Sequence, residues 1–147
     1  MLYHALFVPE GSPPFPKGIV NEPDIAKYVL GWGQPGDMGF AATDKTSPLP
    51  VGVVWIRLFD SHNPGYGYVG EGIPELSIAI LPGYRNRGFG TQLLNHMLVK
   101  AAEQYPGLSL SVTSVNPAKR LYERLGFQVV NMNGASLTMR VDFVSRR

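Results

Sequence analysis

The chain has 147 residues, 44% hydrophobic and 16% charged, with a net charge of +2 and no cysteine. That is material for one domain (1–147) with a true core, and too little charge for nucleic-acid binding by composition. Disulfides, thiolate metal sites and a cysteine nucleophile are excluded, and His4, His62 and His96 lack zinc-ligand spacing, so no metal is expected. With no run of about 18 apolar residues, and with Met1 leading straight into a strand-like segment, a soluble cytoplasmic protein without membrane contact is expected.

Residues 2–8, LYHALFV, read as a short strand, and the proline-rich stretch 9–18 as a stiff loop. Glu22, Pro23 and Asp24 mark a helix start, residues 25–30 continue it, and residues 31–36 end it with glycine and proline. Residues 39–43 and 50–60 read as two antiparallel strands, the second rich in β-branched and aromatic residues as a central strand is. Residues 61–74 form a long loop of Gly, Tyr, Asn and Pro, a length that in compact domains often serves function.

The stretch 75–91, ELSIAILPGYRNRGFGT, organises the rest. Leu76, Ile78 and Ile80 alternate with Glu75, Ser77 and Ala79 as a strand, which Pro82 and Gly83 end. Arg85, Asn86, Arg87, Gly88, Phe89, Gly90 and Thr91 then lead into a helix. Its apolar positions (Phe89, Leu93, Leu94, Met97, Leu98, Ala101, Ala102, Tyr105) share one face over about 25 Å. A strand, a glycine turn and a helix start aim several free N–H groups at one anion, and Arg85 and Arg87 add fixed positive charge. A Walker loop is excluded, because Phe89 and Gly90 stand where Lys and Ser/Thr belong. A dinucleotide fingerprint is excluded too, because Leu93 replaces its third glycine.

Residues 108–113, LSLSVT, alternate as a strand, parallel to that at Glu75 because a helix joins the two. Asn116 and Pro117 open a further helix, with Ala118, Leu121, Tyr122 and Leu125 inward and Gly126 as its C-terminal cap. Residues 127–130 and 136–143 make a hairpin around residues 131–134.

Arg85-Asn86-Arg87-Gly88-Phe89-Gly90 resembles the acyl-CoA loop of the GNAT superfamily of N-acyltransferases, Arg/Gln-x-x-Gly-x-Gly/Ala after a strand. Residues 116–127, NPAKRLYERLGF, resemble that family's second signature, Asn-x-x-Ala-x-x-Leu-Tyr-x-x-x-Gly-Phe, apart from a one-residue freedom in the small residue. Two independent motifs stand in the right order, joined by strand, helix and strand. The resemblance implies an α/β (α+β) fold: a mixed, mostly antiparallel sheet of about seven strands, splayed between two central parallel strands and flanked by helices. It further implies acetyl transfer from acetyl-CoA to a primary amine within a ternary complex, the acceptor being a small molecule or peptide, and it permits a homodimer. The family has two helices between its first two strands, whereas only one reads convincingly here.

Such chemistry needs a base, because an ammonium has a pKa of about 10.4, and an acid for the departing thiolate. Glu75 is the candidate base, or else a surface carboxylate at a strand end. Tyr122, a phenol that stays protonated at neutral pH, is the candidate acid and cofactor neighbour, or else a core aromatic. Ile78 and Ile80 would bond the cofactor through free backbone groups, as an added strand does. Arg85, Asn86, Arg87, Gly88, Phe89, Gly90 and Thr91 would hold its phosphates, with Phe89 favoured as core over a lid. Asn116 would bond the amide-rich arm, cap its helix, or do both. Around the acceptor, Glu22, Asp24, Asp37, Asp60 and Glu71 outnumber Lys17, Lys27 and Arg57, a lean towards a cationic amine. A non-catalytic acyl-CoA-binding module and a nucleotide-binding protein are the competing readings.

Overall fold

The computed structural model describes residues 1–8 and 12–143. A single sheet carries six strands in the order β1-β2-β3-β4-β6-β5: Met38–Ala42, Gly52–Arg57, Glu75–Ile80, Gly107–Thr113, Ser136–Asp142 and Gln128–Asn133 respectively. All neighbours are antiparallel except β3 and β4, the two joined through the long helix α2, Phe89–Ala102. Helix α3, Ala118–Arg124, lies between β4 and β5.

Alternation decides what each face carries. Val54, Ile56, Leu76, Leu108, Leu110, Val112, Leu137, Met139 and Val141 point to one side, where Leu93, Leu94, Met97 and Ala101 of α2, with Tyr122 and Phe127, close the main core over them. The other side of β2 and β3 holds a smaller cluster of Tyr28, Trp55 and Ala79, with Leu2, Ala5, Val53 and Phe59 packed against it. α3 ends in a Schellman arrangement: Gly126, at φ 102°, donates to the Glu123 carbonyl, and Phe127 donates to the Tyr122 carbonyl. Only glycine takes that conformation cheaply, and the turn fixes Tyr122 relative to Phe127.

The structure corrects several expectations. Among the described residues there are six strands instead of about seven: residues 2–5 form a 3₁₀ turn, Leu2–Ala5, because Leu2 and Ala5, three apart, both pack onto the smaller cluster. Of the loop expected at 9–18, residues 9–11 lie outside the described residues. The helix expected over 22–30 is a short α1, Pro23–Ala26, extended by turns to Leu30 and broken at Gly31, φ 65°. The β5–β6 turn is not residues 131–134 but Gly134 and Ala135, since Asn133 still pairs with Ser136 and the left-handed φ falls at Gly134. Among the described residues no helix is long and apolar enough to cross a membrane.

Candidate active site

β3 and β4 are paired at one point only, Glu75 opposite Ser109, where the Ser109 N–H donates to the Pro74 carbonyl at 3.0 Å. Beyond it β3 continues bonding to β2, and β4 to β6. The pair therefore opens like a V towards Ile80 and Thr113. The Leu81 N–H donates to the carbonyl of Val51, the residue just before β2, so by alternation the backbone groups of Leu76, Ile78 and Ile80 face the gap. The Ile80 carbonyl is taken by Arg85 Nε at 3.1 Å, which leaves the Ile78 groups without a strand partner.

The helix start stands at the open end of the V. Gly88, at φ 88°, caps α2 without any side-chain hydrogen bond, and the first helical bond is from Gln92 N–H to Gly88. The N–H groups of Phe89, Gly90 and Thr91 therefore have no partner within the helix. A side chain at Gly88 would enter open space, whereas Gly90 sits close to Ile78 Cδ1 and Leu121 Cδ2, 3.9 and 4.0 Å from the position of an added Cβ. Asn86 takes a left-handed φ of 60°, which asparagine tolerates better than most. Arg87 bonds Asp44 at 3.2 Å and lies over the rings of Tyr84 and Phe89. Phe89 is only half-buried and belongs to neither core cluster, so the favoured reading of it as core is corrected.

Across the gap, Asn116 Oδ1 accepts the Ala118 N–H at 2.9 Å, and Pro117 takes the cap position immediately before the helix. Asn116 thus braces the start of α3 from one residue further out than expected, and Pro117 precedes the first helical position instead of occupying it. The Tyr122 ring is buried, edge-on to Phe127 at 6.0 Å, and burial pushes its phenol up to about 12. No hydrogen bond engages its hydroxyl among the described residues.

Glu75 is not a surface carboxylate: only 3% of it is exposed. Its Oε2 accepts the Tyr28 hydroxyl and its Oε1 accepts the Gly67 N–H at 3.0 Å. Burial pushes its carboxyl up to about 7, against the opposing effects of those two bonds and of Lys27. Residues 61–74 achieve this covering with two glycines. A Cβ on Gly65 would stand 2.2 Å from Glu75 Oε1, and one on Gly67 would stand 2.6 Å from the Leu110 carbonyl carbon. Glu75 and Ser109 share one face of the sheet, and Ser109 Oγ is buried there without a hydrogen-bond partner.

Tyr28, Gly65 and Gly67 escape a reading of motifs. The two glycines have one signal, the Gly-Tyr-Gly-Tyr run at 65–68, inside a loop already marked by its length, and Tyr28 has none. Further out, Lys27, Gln34, Arg57, Asp60 and Asn63 border a concavity of about 220 Å³. Arg57 and Asp37 form an ion pair at 2.8 Å with both side chains buried, and Lys27 pairs with Asp24 at 3.3 Å. Two of the acids counted towards a cationic acceptor are therefore paired with two of the bases counted against it, which leaves Glu22, Asp60 and Glu71 against Lys17. His96 packs on the Phe40 ring, away from Glu75.

A family model described as an acetyltransferase (GNAT) domain matches residues 39–129. Among solved structures, the GNAT domain of S. lividans PAT superposes with a TM-score of 0.66 at 15% identity, covering 96% of this chain and 76% of that one. Smu.2055 from Streptococcus mutans UA159 gives 0.64 at 20% identity, over 96% and 89%. The PaiA N-acetyltransferase from Thermoplasma acidophilum, solved in complex with coenzyme A, gives 0.57 at 15%, over 82% and 67%. At these identities the likeness is one of fold. The chain spans 66% of the length of PH1933 from Pyrococcus horikoshii OT3, a further similar structure. No curated protein sequence matches the chain.

Proposed function

We propose, from the premise that this chain belongs to the GNAT acetyltransferase family, that it is a cytoplasmic enzyme moving an acetyl group from acetyl-CoA to a primary amine by direct attack. The observation that carries this reading is the V itself, a parallel pair joined only at Glu75 and Ser109, with a helix start that lacks a side-chain cap at its mouth. An extended, amide-bearing arm fits free strand groups at Ile78, and a diphosphate fits the N–H groups of Phe89, Gly90 and Thr91. Arg85 and Arg87, both exposed, supply charge to those phosphates, with Asn86 and Gly88 shaping the turn and Asn116 facing the arm.

The chain's residues divide the proton work. Glu75 takes the proton from the amine nitrogen as that nitrogen bonds to the thioester carbonyl carbon. Because residues 65–67 cover the carboxylate, a water is the natural link between them. When the carbon–sulfur bond breaks, the Tyr122 hydroxyl gives its proton to the departing sulfur and regains one from solvent. A carboxyl at about 7 and a phenol at about 12 suit those two roles, one ready to accept and one holding its proton.

Thermal denaturation with ligands tests the cofactor. Coenzyme A should raise the midpoint well beyond ATP or NAD at equal concentration, because binding to the native state stabilises it by mass action. Gly88→Val should abolish the shift, since a β-branched residue cannot hold the left-handed φ of 88° that shapes the turn before the free N–H groups. Equal shifts for all three ligands would remove the assignment.

A further inference from the structure

Tyr28 is held from three directions at once. The Trp55 indole donates to its carbonyl at 3.1 Å, and its ring meets Phe59 edge-on at 5.0 Å and lies parallel to Tyr66 at 6.4 Å. Its hydroxyl oxygen accepts the Tyr66 N–H at 2.8 Å. With that N–H on its oxygen, the hydroxyl's own hydrogen is directed to Glu75 Oε2. Burial and the neighbouring carboxylate hold the phenol well above its ordinary pKa, so it remains a donor throughout the working range. The residue before it, Lys27, ties the same turn to the loop through Asn63 and the Pro64 carbonyl.

We propose that Tyr28 is the positioning residue of this active site: its hydroxyl fixes the rotamer of Glu75 and aims a donor at the oxygen that must carry the charge. This rests on Glu75 being the base. Of the two hydrogen bonds on the carboxylate, the Gly67 N–H comes from the loop, whereas Tyr28 links the turn after α1, the loop and β3 in one contact. The charged or titratable groups around Glu75 are Lys27 and Tyr28 on that turn, Tyr66 on the loop, and Arg57 opposite it on β2. Arg57 is engaged by Asp37. Among the described residues, Tyr28 is therefore the one neighbour that donates a side-chain hydrogen bond to the carboxylate.

The test is the pH dependence of kcat/KM in Tyr28→Phe, which keeps the ring and loses only the hydroxyl. Loss of a hydrogen bond to the charged form should move the acidic limb upward by about one pH unit. Activity should then fall several-fold at pH 7, recover at about pH 9, and leave the KM for acetyl-CoA unchanged. Placing 3-fluorotyrosine at position 28 keeps the fold and strengthens the donor, so it should move the limb the other way. A limb unmoved in both variants, or a loss uniform across pH, would overturn the proposal. Glu75→Gln separates the premise from the inference. If the acidic limb survives in Glu75→Gln, Glu75 is not the base; if it vanishes there yet is indifferent to position 28, only the role of Tyr28 fails.

Discussion

Glu75→Gln is expected to lower kcat by about 10²–10⁴-fold, the usual contribution of a positioned base, and to remove the acidic limb that otherwise has its midpoint near pH 7. The carboxyl stands at about 7 because burial raises it, so its titration falls inside the assay range. Its charge also affects the fold. The native state holds this proton more tightly than the unfolded chain does, so the stability it contributes is present below the ordinary carboxylate range and is lost as pH rises through 7. Glu75→Gln should cancel that decline, which denaturation midpoints at pH 5 and pH 8 would reveal. Tyr122→Phe should instead cost about 10²-fold in kcat with the acidic limb in place, because a phenol near 12 does not titrate in that range. An unchanged rate in Tyr122→Phe would remove it as the acid and leave the cofactor assignment standing.

The largest effect on folding is expected at Asp37. Its carboxylate receives Arg57 Nε at 3.0 Å and Nη2 at 2.8 Å, and it also accepts the N–H groups of Gly33 and Gln34. Arg57 meanwhile donates to the carbonyls of Lys27 and Leu30. Asp37→Ala would leave a buried guanidinium without its counter-charge, a loss of about 3–5 kcal/mol. For a domain of this size that corresponds to a fall of roughly 10 °C in Tm. By contrast, Asp44→Ala, which breaks an exposed, solvent-screened pair with Arg87, should cost far less. The hydrogen bonds from Arg57 hold the Asp37 carboxyl below its usual range. This pair's contribution should therefore persist above that range and disappear only as pH falls through the lowered value. Equal losses in the two variants, read by chemical denaturation, would show that the buried pair is not what closes the region around residues 27–37.

What the sequence made legible was local. The strand at 75–80, the glycine turn, the helix behind it and the Asn116–Gly126 block each follow from residues within one or two turns of one another. So do the helix dipole at Gly88 and the left-handed glycine at 126. The parallel relation of β3 to β4 was also accessible, because a helical crossover leaves no other choice. The rest depends on long-range contacts. Tyr28 meets Glu75 across 47 residues, and nothing in the pattern around either shows that they touch. Residues 2–8 look like a strand but find no sheet edge, and settle into a 3₁₀ turn on the smaller cluster. The acids near the acceptor side looked free in a count of charges, but Asp37 and Asp24 have partners that only folding reveals.

The most direct test of acetyl transfer is release of free thiol from acetyl-CoA in the presence of a broad panel of amines. Release should depend on the added amine, saturate in acetyl-CoA, be lost in Gly88→Val and be sharply reduced in Glu75→Gln. Coenzyme A binding without amine-dependent release across the whole panel would contradict it, and would make the V between β3 and β4 a binding site alone.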